Sequence, residues 1–273
     1  MLTSQQGLPT TCVVSVSELS GINQKQMYKL YQTYYCSSDE RIFLADLQAK
    51  NHAVLLKDNQ GVIQGFSTLA LYEEKYQDSK LNIIYSGDTI VDKAFWGHPL
   101  LPKAWLQFAG KIAADSPDIP LYWLLIVKGH RTYRYLQLFS QNYYPRYNRN
   151  TPPDTQKLLD HVATQRFKSA YDPASGLVVF PGQRSFLKPD LAAIPEKDIQ
   201  RPEVQFFLSQ NPHYAHGDEM VCLCELSPEN LTRISRKWFM EGMRYSPIRR
   251  QAEFSTAAMS LRKVGTGFCN HAS

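Results

Sequence analysis

Three observations in the 273-residue sequence predict an α/β fold built on one central mixed sheet with flanking helices. Over residues 10–145, β-branched and aliphatic runs alternate with helical spacing in the order strand, helix, helix, strand, strand, strand, helix, strand, helix. The stretch HAVLLKDNQGVIQGFSTLALYEEKY sets two apolar runs around DNQG, a hairpin signal. IPLYWLLIVKG is a nearly unbroken apolar run ended by Gly129, as expected of a strand covered on both faces.

Each element follows from a local pattern. TTCVVSVSE (10–18) is short and β-branched and predicts the first strand. In GINQKQMYKLYQTYY, Met27, Leu30, Tyr31 and Tyr34 recur at helical spacing. SDERIFLADLQAK predicts a helix capped by Ser38 or Asp39, with Ile42, Phe43 and Leu47 on its apolar face. After the hairpin, LNIIYSGDTIVDKAF (81–95) reads as a long strand and PLLPKAWLQFAGKIAAD (99–115) as a helix with proline in its first turn. RTYRYLQLFSQNYY (131–144) predicts a helix stopped before Pro145.

Beyond residue 146 the texture changes. PRYNRNTPPDTQ is a Pro- and Asn-rich connection, DTQKLLDHVATQRF a helix, and residues 171–202 are punctuated by proline. EVQFFLSQN reads as a helix, EMVCLCEL as a strand, and SPENLTRISRKWF as a helix with Ser227 as cap and Pro228 just inside. The expected organisation is a core over 10–150, an extension over 151–245 that completes the sheet and shapes the site, and a loose tail over 246–273.

Composition narrows the class. A charge of +5, from 30 Lys and Arg against 25 Asp and Glu, is too weak a bias for nucleic-acid binding and suits a phosphate-bearing ligand or an acidic partner. Five scattered cysteines, Cys12, Cys36, Cys222, Cys224 and Cys269, predict free thiols in a reducing compartment. The N-terminus lacks a basic, then apolar, leader pattern and no apolar run reaches the ~18 residues of a membrane span, so the expectation is a cytoplasmic protein.

The same residues resemble the GNAT superfamily of N-acetyltransferases. LLKDNQGVIQGFSTLALY looks like that family's second and third strands. GDTIVDKAFWG resembles its fourth strand and turn, and YLQLFSQNYYPRY stands where the family has its next helix and conserved aromatic. The resemblance covers residues 10–150 and implies a strand splayed from its neighbour, with a pantetheine arm between them. Val91 then occupies the position that bonds the arm, and the following turn and helix N-terminus hold the pyrophosphate. The turn departs from the family: its glycine-rich motif reads WGHPLLP, with Trp96 before the single Gly97 and two prolines lacking N–H donors. His98, Leu100, Leu101, Lys103 and Lys128 complete the expected donor site, the charged ones supplying what the backbone lacks. The co-substrate implied is acyl-CoA or an acyl carrier protein's phosphopantetheine thioester, the latter with one phosphate. A tight packing corner is the other reading of Trp96-Gly97.

Acyl transfer to an amine needs a base and a proton for the leaving thiolate. Asp88 lies on the expected splayed strand, on the face of Ile90 and Asp92, and either relays the amine proton or bonds a bulge. The family's acid, a tyrosine, is Phe139 here by register; Tyr135 lies one turn earlier on the same helix face. NPHYAHGDEMVCLCEL puts His216 and Glu219 at the start of a late strand, as a base or as a polar turn. A zinc site from His213, His216, Cys222 and Cys224 has none of the usual spacings, and the two cysteines share a face with Met220 and Leu226, as core residues do. YWLL and VQFFL suit the lining of a longer acyl pocket, and YWLLIVKGHRTYRYL resembles bacterial GNAT-like proteins that attach fatty acyl chains to Lys or ornithine of ribosomal peptides. The expected function is an N-acyltransferase without a metal, with an amine-bearing peptide or small molecule as acceptor; a binding or scaffold protein that has lost catalysis is the alternative.

Overall fold

The computed structural model of the chain describes residues 8–181 and 185–245. The expected loose tail, Cys269 and the basic stretches GQR and SPIRRQ lie outside the described residues.

The N-terminal half alternates as expected. It comprises β1 (Thr10–Ser15), α1 (Gly21–Tyr34), β2 (Tyr35–Cys36), α2 (Glu40–Gln48), β3 (His52–Lys57), β4 (Ile63–Tyr76), β5 (Ser79–Val91), α3 (Leu100–Asp115), β6 (Leu121–Val127) and α4 (His130–Phe139). The second half holds α5 (Pro153–Phe167), β7 (Tyr171–Asp172), β8 (Leu177–Val178), β9 (Phe186–Leu187), α6 (Pro189–Ala192), α7 (Glu196–Ile199), α8 (Pro202–Gln210), β10 (Glu219–Glu225) and α9 (Arg233–Met243). One sheet runs β1-β3-β4-β5-β6-β10-β8-β7, and β2 pairs with β9 apart from it. All its neighbours are antiparallel except β5 and β6, which are parallel.

Alternation along the strands sends side chains to two layers. Val54, Leu56, Leu69, Ile84, Trp123, Leu125 and Cys222 pack with α3, α4, α8 and α9 on one face. The other face carries two separate apolar clusters. Ala53, Leu55, Phe66 and Ile90 pack with α1 and α2, whereas Ile83, Tyr85, Leu124, Val221 and Leu223 pack with α5. The strip between these two clusters is polar, and the candidate site lies there.

Caps and local bonds correct several expected boundaries. Asp39, not Ser38, caps α2 through Arg41 and Ile42 N–H groups, and Ile42 is exposed rather than on the buried face. α4 ends at Phe139, five residues short of the expected stop: Ser140 and Tyr144 instead form β-bridges with Leu231 and Leu223, an alternative partner for backbone that propensity favours as helix. Residues 227–231 are a turn in which Ser227 oxygens accept the Asn230 and Leu231 N–H groups, so α9 begins at Arg233 and not at Pro228.

Candidate active site

β5 and β6 are paired only from Asn82–Ser86 to Leu121–Leu125. Beyond that register no ladder joins them, although β5 runs on to Val91 and β6 to Val127; a splayed pair of this kind is what the resemblance to GNAT proteins implied. A bulge between Ser67 and Leu69 sets both Gly87 and Asp88 of β5 against Thr68 of β4. Asp88 therefore stands at a bulge and, within reach of the Asp46, Lys128 and Lys50 charges, faces the polar strip. Gly87 is required by the crowding there: a Cβ would lie 2.6 Å from Thr68 Oγ1 and 2.7 Å from Lys50 Cε.

Further along, Asp92 N–H donates to Gln64 C=O at 2.7 Å. Alternation then turns the N–H and C=O of Val91 away from β4, toward the gap. The Trp96 indole N–H donates to that carbonyl at 2.8 Å.

Charged groups collect in the strip. Lys128 follows β6 and Glu219 opens β10, and the Met220–Val127 register brings them together with Nζ–Oε1 at 3.2 Å. Lys50, its side chain 1 % exposed, bonds Asp46 at 2.7 Å and lies over the Tyr85 ring. Lys128 also lies 5.5 Å from the Tyr35 ring centroid, and Tyr35 stacks on Tyr31.

Their titration follows from burial and from one another. Burial, then the Asp46 charge, pushes the Asp88 carboxyl up to about 7, against the pull of Lys128 and Lys50. Burial also raises Glu219, against Lys128. Burial pulls Lys128 down, but the adjacent Glu219 carboxylate outweighs it and holds the ammonium charged well above its usual range. Burial keeps the Tyr31 and Tyr35 phenols protonated, with Asp88 pushing the same way. The site is thus a carboxyl poised near neutrality, a fixed ammonium and two neutral phenols.

Of the expected residues, the structure brings Asp88, Glu219 and Lys128 together. Tyr135 is 40 % exposed and rests on Phe139, and burial alone shifts its phenol, whereas Tyr31 and Tyr35 feel Asp88, Lys128 and Glu219. His216 is exposed on a short turn beside His213. Tyr31, Tyr35, Lys50 and Asp46 escaped the sequence reading. The tyrosines satisfy a helical apolar spacing, and the Lys50–Asp46 pair looks like an ordinary i,i+4 surface pair until Gly87 is placed beside it.

The turn after β5 uses its own donors. Asp92 caps Ala94, Trp96 N–H donates to Lys93 C=O, His98 N–H to Phe95 C=O, and Leu100 N–H to His98 Nδ1. Gly97 has φ +82°, with nothing within 4 Å of its missing Cβ, so backbone conformation and not packing calls for glycine. Leu101 is buried in the core, and Lys103 faces Glu241 at 3.9 Å. Basic side chains stand at this end instead: Lys93 and Arg131 lie 6.0 and 5.5 Å from the Trp96 ring centroid. Two surface clefts of about 250 and 490 Å³ lie elsewhere, one beside Tyr72 and Asn82 and one beside Gln141 and Arg149. Among the described residues, no group of three or more His, Cys, Asp or Glu could hold a metal ion. Nor is any helix among them long and apolar enough to cross a membrane.

No family model and no curated protein matches the chain. Partial similarity to solved structures is found. A probable N-acyltransferase from Enterococcus faecalis shares 11 % identity over 49 % of this chain and 33 % of its own, with a TM-score of 0.36. A GNAT family N-acetyltransferase from Escherichia coli in complex with CoA shares 11 % over 50 % and 71 %, with a TM-score of 0.34. An acetyltransferase from Trypanosoma brucei shares 14 % over 47 % and 89 %, with a TM-score of 0.34. The chain thus spans about a third of the length of the Enterococcus faecalis protein. Likeness at this level decides nothing about chemistry. The chain's own strand order, with one parallel pair that splays, is what makes it GNAT-like in fold.

Proposed function

We propose that the chain is an N-acyltransferase that moves an acyl group from a thioester to an amine, with the thioester arm in the gap between β5 and β6. The observation that carries this reading is the limited pairing of those parallel strands, with Asp88 in the strip where they part. The arriving amine is an ammonium. Asp88, once ionised, takes one proton; the free amine attacks the carbonyl, a C–N bond forms and the C–S bond breaks. The second nitrogen proton passes to the departing thiolate, leaving amide and thiol. Lys128, held charged by Glu219, supplies positive potential for the oxyanion. Tyr135 and His216 have no part in this scheme.

The donor reading follows the turn. The N–H groups of Lys93, Ala94, Phe95, Trp96, His98 and Leu100 are engaged within the fold and Pro99 and Pro102 carry none, so a pyrophosphate finds little backbone to hold it, whereas Lys93 and Arg131 suit a single phosphate. An acyl carrier protein's phosphopantetheine fits this better than CoA. A fatty acyl chain and a Lys or ornithine side chain of a peptide are the proposed acyl group and acceptor, in the cytoplasm. The second reading, a binding or scaffold protein of this fold that no longer holds the thioester, is favoured by one observation: the Trp96 indole occupies Val91 C=O, at the position expected to bond the arm.

The test is amide formation. Purified protein is given hexanoyl-CoA or a hexanoyl-loaded carrier protein, with a lysine peptide, and products are read by mass spectrometry. Amide is expected, and Asp88→Asn is expected to slow it by about 100-fold or more, the scale of general-base catalysis. Absence of both thioester binding and amide would establish the second reading, and full turnover by Asp88→Asn would remove the base.

A further inference from the structure

The open end of the gap is crossed by residues 185–192, which comprise β9 and α6. On one side β9 pairs with β2, Lys188 N–H donates to Tyr34 C=O, and the Ser185 and Tyr31 hydroxyls share a hydrogen bond. Lys93, just after β5, meets Asp190 at 3.3 Å. Arg131, just after β6, donates to Leu191 C=O at 2.8 Å, and a Cβ on Gly129 would lie 3.2 Å from Leu187 Cδ1. The same short segment therefore fastens to the chain that continues each of the two splayed strands, and to the helix beside them.

We propose that residues 185–192 form a strap that closes the thioester slot and must lift for the arm to enter. This rests on the donor-site reading above. The fastenings are of a kind that opens. The ladder to β2 is two residues long, and the Lys93 and Asp190 side chains are 57 % and 64 % exposed. Leu191 and Ala192 are buried and act as the anchor on which the strap turns. Closing over the slot keeps water from Asp88 and from the thioester between turnovers.

The register supplies the test. Cys36 faces Phe186 across the ladder, as a hydrogen-bonded pair in which Cα atoms are about 5.5 Å apart, within disulfide range. Phe186→Cys, oxidised, locks the strap shut. Binding of hexanoyl-CoA to the oxidised variant is expected to weaken at least tenfold and to recover on reduction, with no change in a Phe186→Cys, Cys36→Ser control. Equal binding by both redox forms would overturn the strap. Amide hydrogen exchange gives a readout that needs no donor. In the native protein Lys188 and Leu191 are expected to exchange at least tenfold faster than Leu223 in β10, and exchange no faster than Leu223 would overturn the strap while leaving the donor site standing. Fast exchange with no hexanoyl-CoA or carrier binding by native protein would overturn the donor site, and the strap with it.

Discussion

If Asp88 is the base proposed above, activity and stability pull in opposite directions on this one residue. Its carboxyl is raised from 3.8 to about 7 by burial first and by Asp46 second. In the window between those values the unfolded chain has lost the proton while the folded chain keeps it. The folded state thus binds more protons, and stability falls as pH rises from about 4 to about 7. In the proposed transfer activity runs the other way, because only the ionised form would accept a proton from the amine. The expected profile of kcat/KM climbs through about 7 and flattens above it, while the urea midpoint declines between about pH 4 and about 7. Asp88→Asn is expected to abolish the climb and to lessen the decline, leaving the variant more stable than the native protein at pH 8. A native urea midpoint that rises from pH 5 to pH 8 would show that the carboxyl is not held up. The position of this residue was legible in the sequence, since an Asp within an apolar strand asks for a reason. Its partners were not, because Tyr31, Tyr35 and Lys50 reach it from a helix, its end and a loop distant in sequence.

At the scale of elements, the tightest constraint is the crossing of α3 and α9. A Cβ on Gly110 would lie 2.0 Å from Phe239 O, and one on Gly242 would lie 1.8 Å from Gln107 O. Each helix thus brings a glycine to the other's backbone, and the bond between Gln107 and Glu241 fixes the rotation. Alanine at either site would ordinarily favour a helix by up to about 1 kcal/mol. Here the backbones must move apart, and overpacking of this kind costs about 1–3 kcal/mol. Gly110→Ala and Gly242→Ala are each expected to lower Tm by several degrees in a thermal melt, and an increase would mean the helices are not in contact. Element type was readable from periodicity for α1, α3, α5, β6 and β10. Element ends were set by partners the periodicity does not contain. α4 yields to bridges with β10 and Leu231, and α9 starts late because Ser227 organises a turn. The two-residue strands β2 and β9 are too short to leave a periodic trace, so the segment that holds β9 was invisible in a stretch that read only as proline-rich.

For the whole molecule, the question is whether residues 10–150 stand alone, as their resemblance to GNAT proteins suggests. The sheet argues that they do not. β10 lies between β6 and β8, pairing with β6 over six residues, Met220–Glu225, on the edge that the N-terminal half would otherwise expose. Val221 and Leu223 join the cluster under α5, while Cys222 and Cys224 join the opposite one, so both layers draw on the second half of the chain. α5, whose Leu159, Val162 and Ala163 are buried, packs on β4 and β10 on one face, in the cluster that also holds Ile83 and Leu124, and α9 packs on α3 on the other. Each aliphatic side chain left uncovered forfeits about 1.5–3 kcal/mol, and several would be uncovered at once, against a typical domain stability of about 5–15 kcal/mol. A fragment ending at residue 150 is therefore expected to lack cooperative unfolding and dispersed amide signals. Supplying residues 151–245 as a separate chain is expected to restore both. Glu219 arrives on that second chain, so the Lys128 pair and any amide-forming activity should return only with it. A folded, cooperative 1–150 fragment would mean that the second half decorates the sheet rather than completes it.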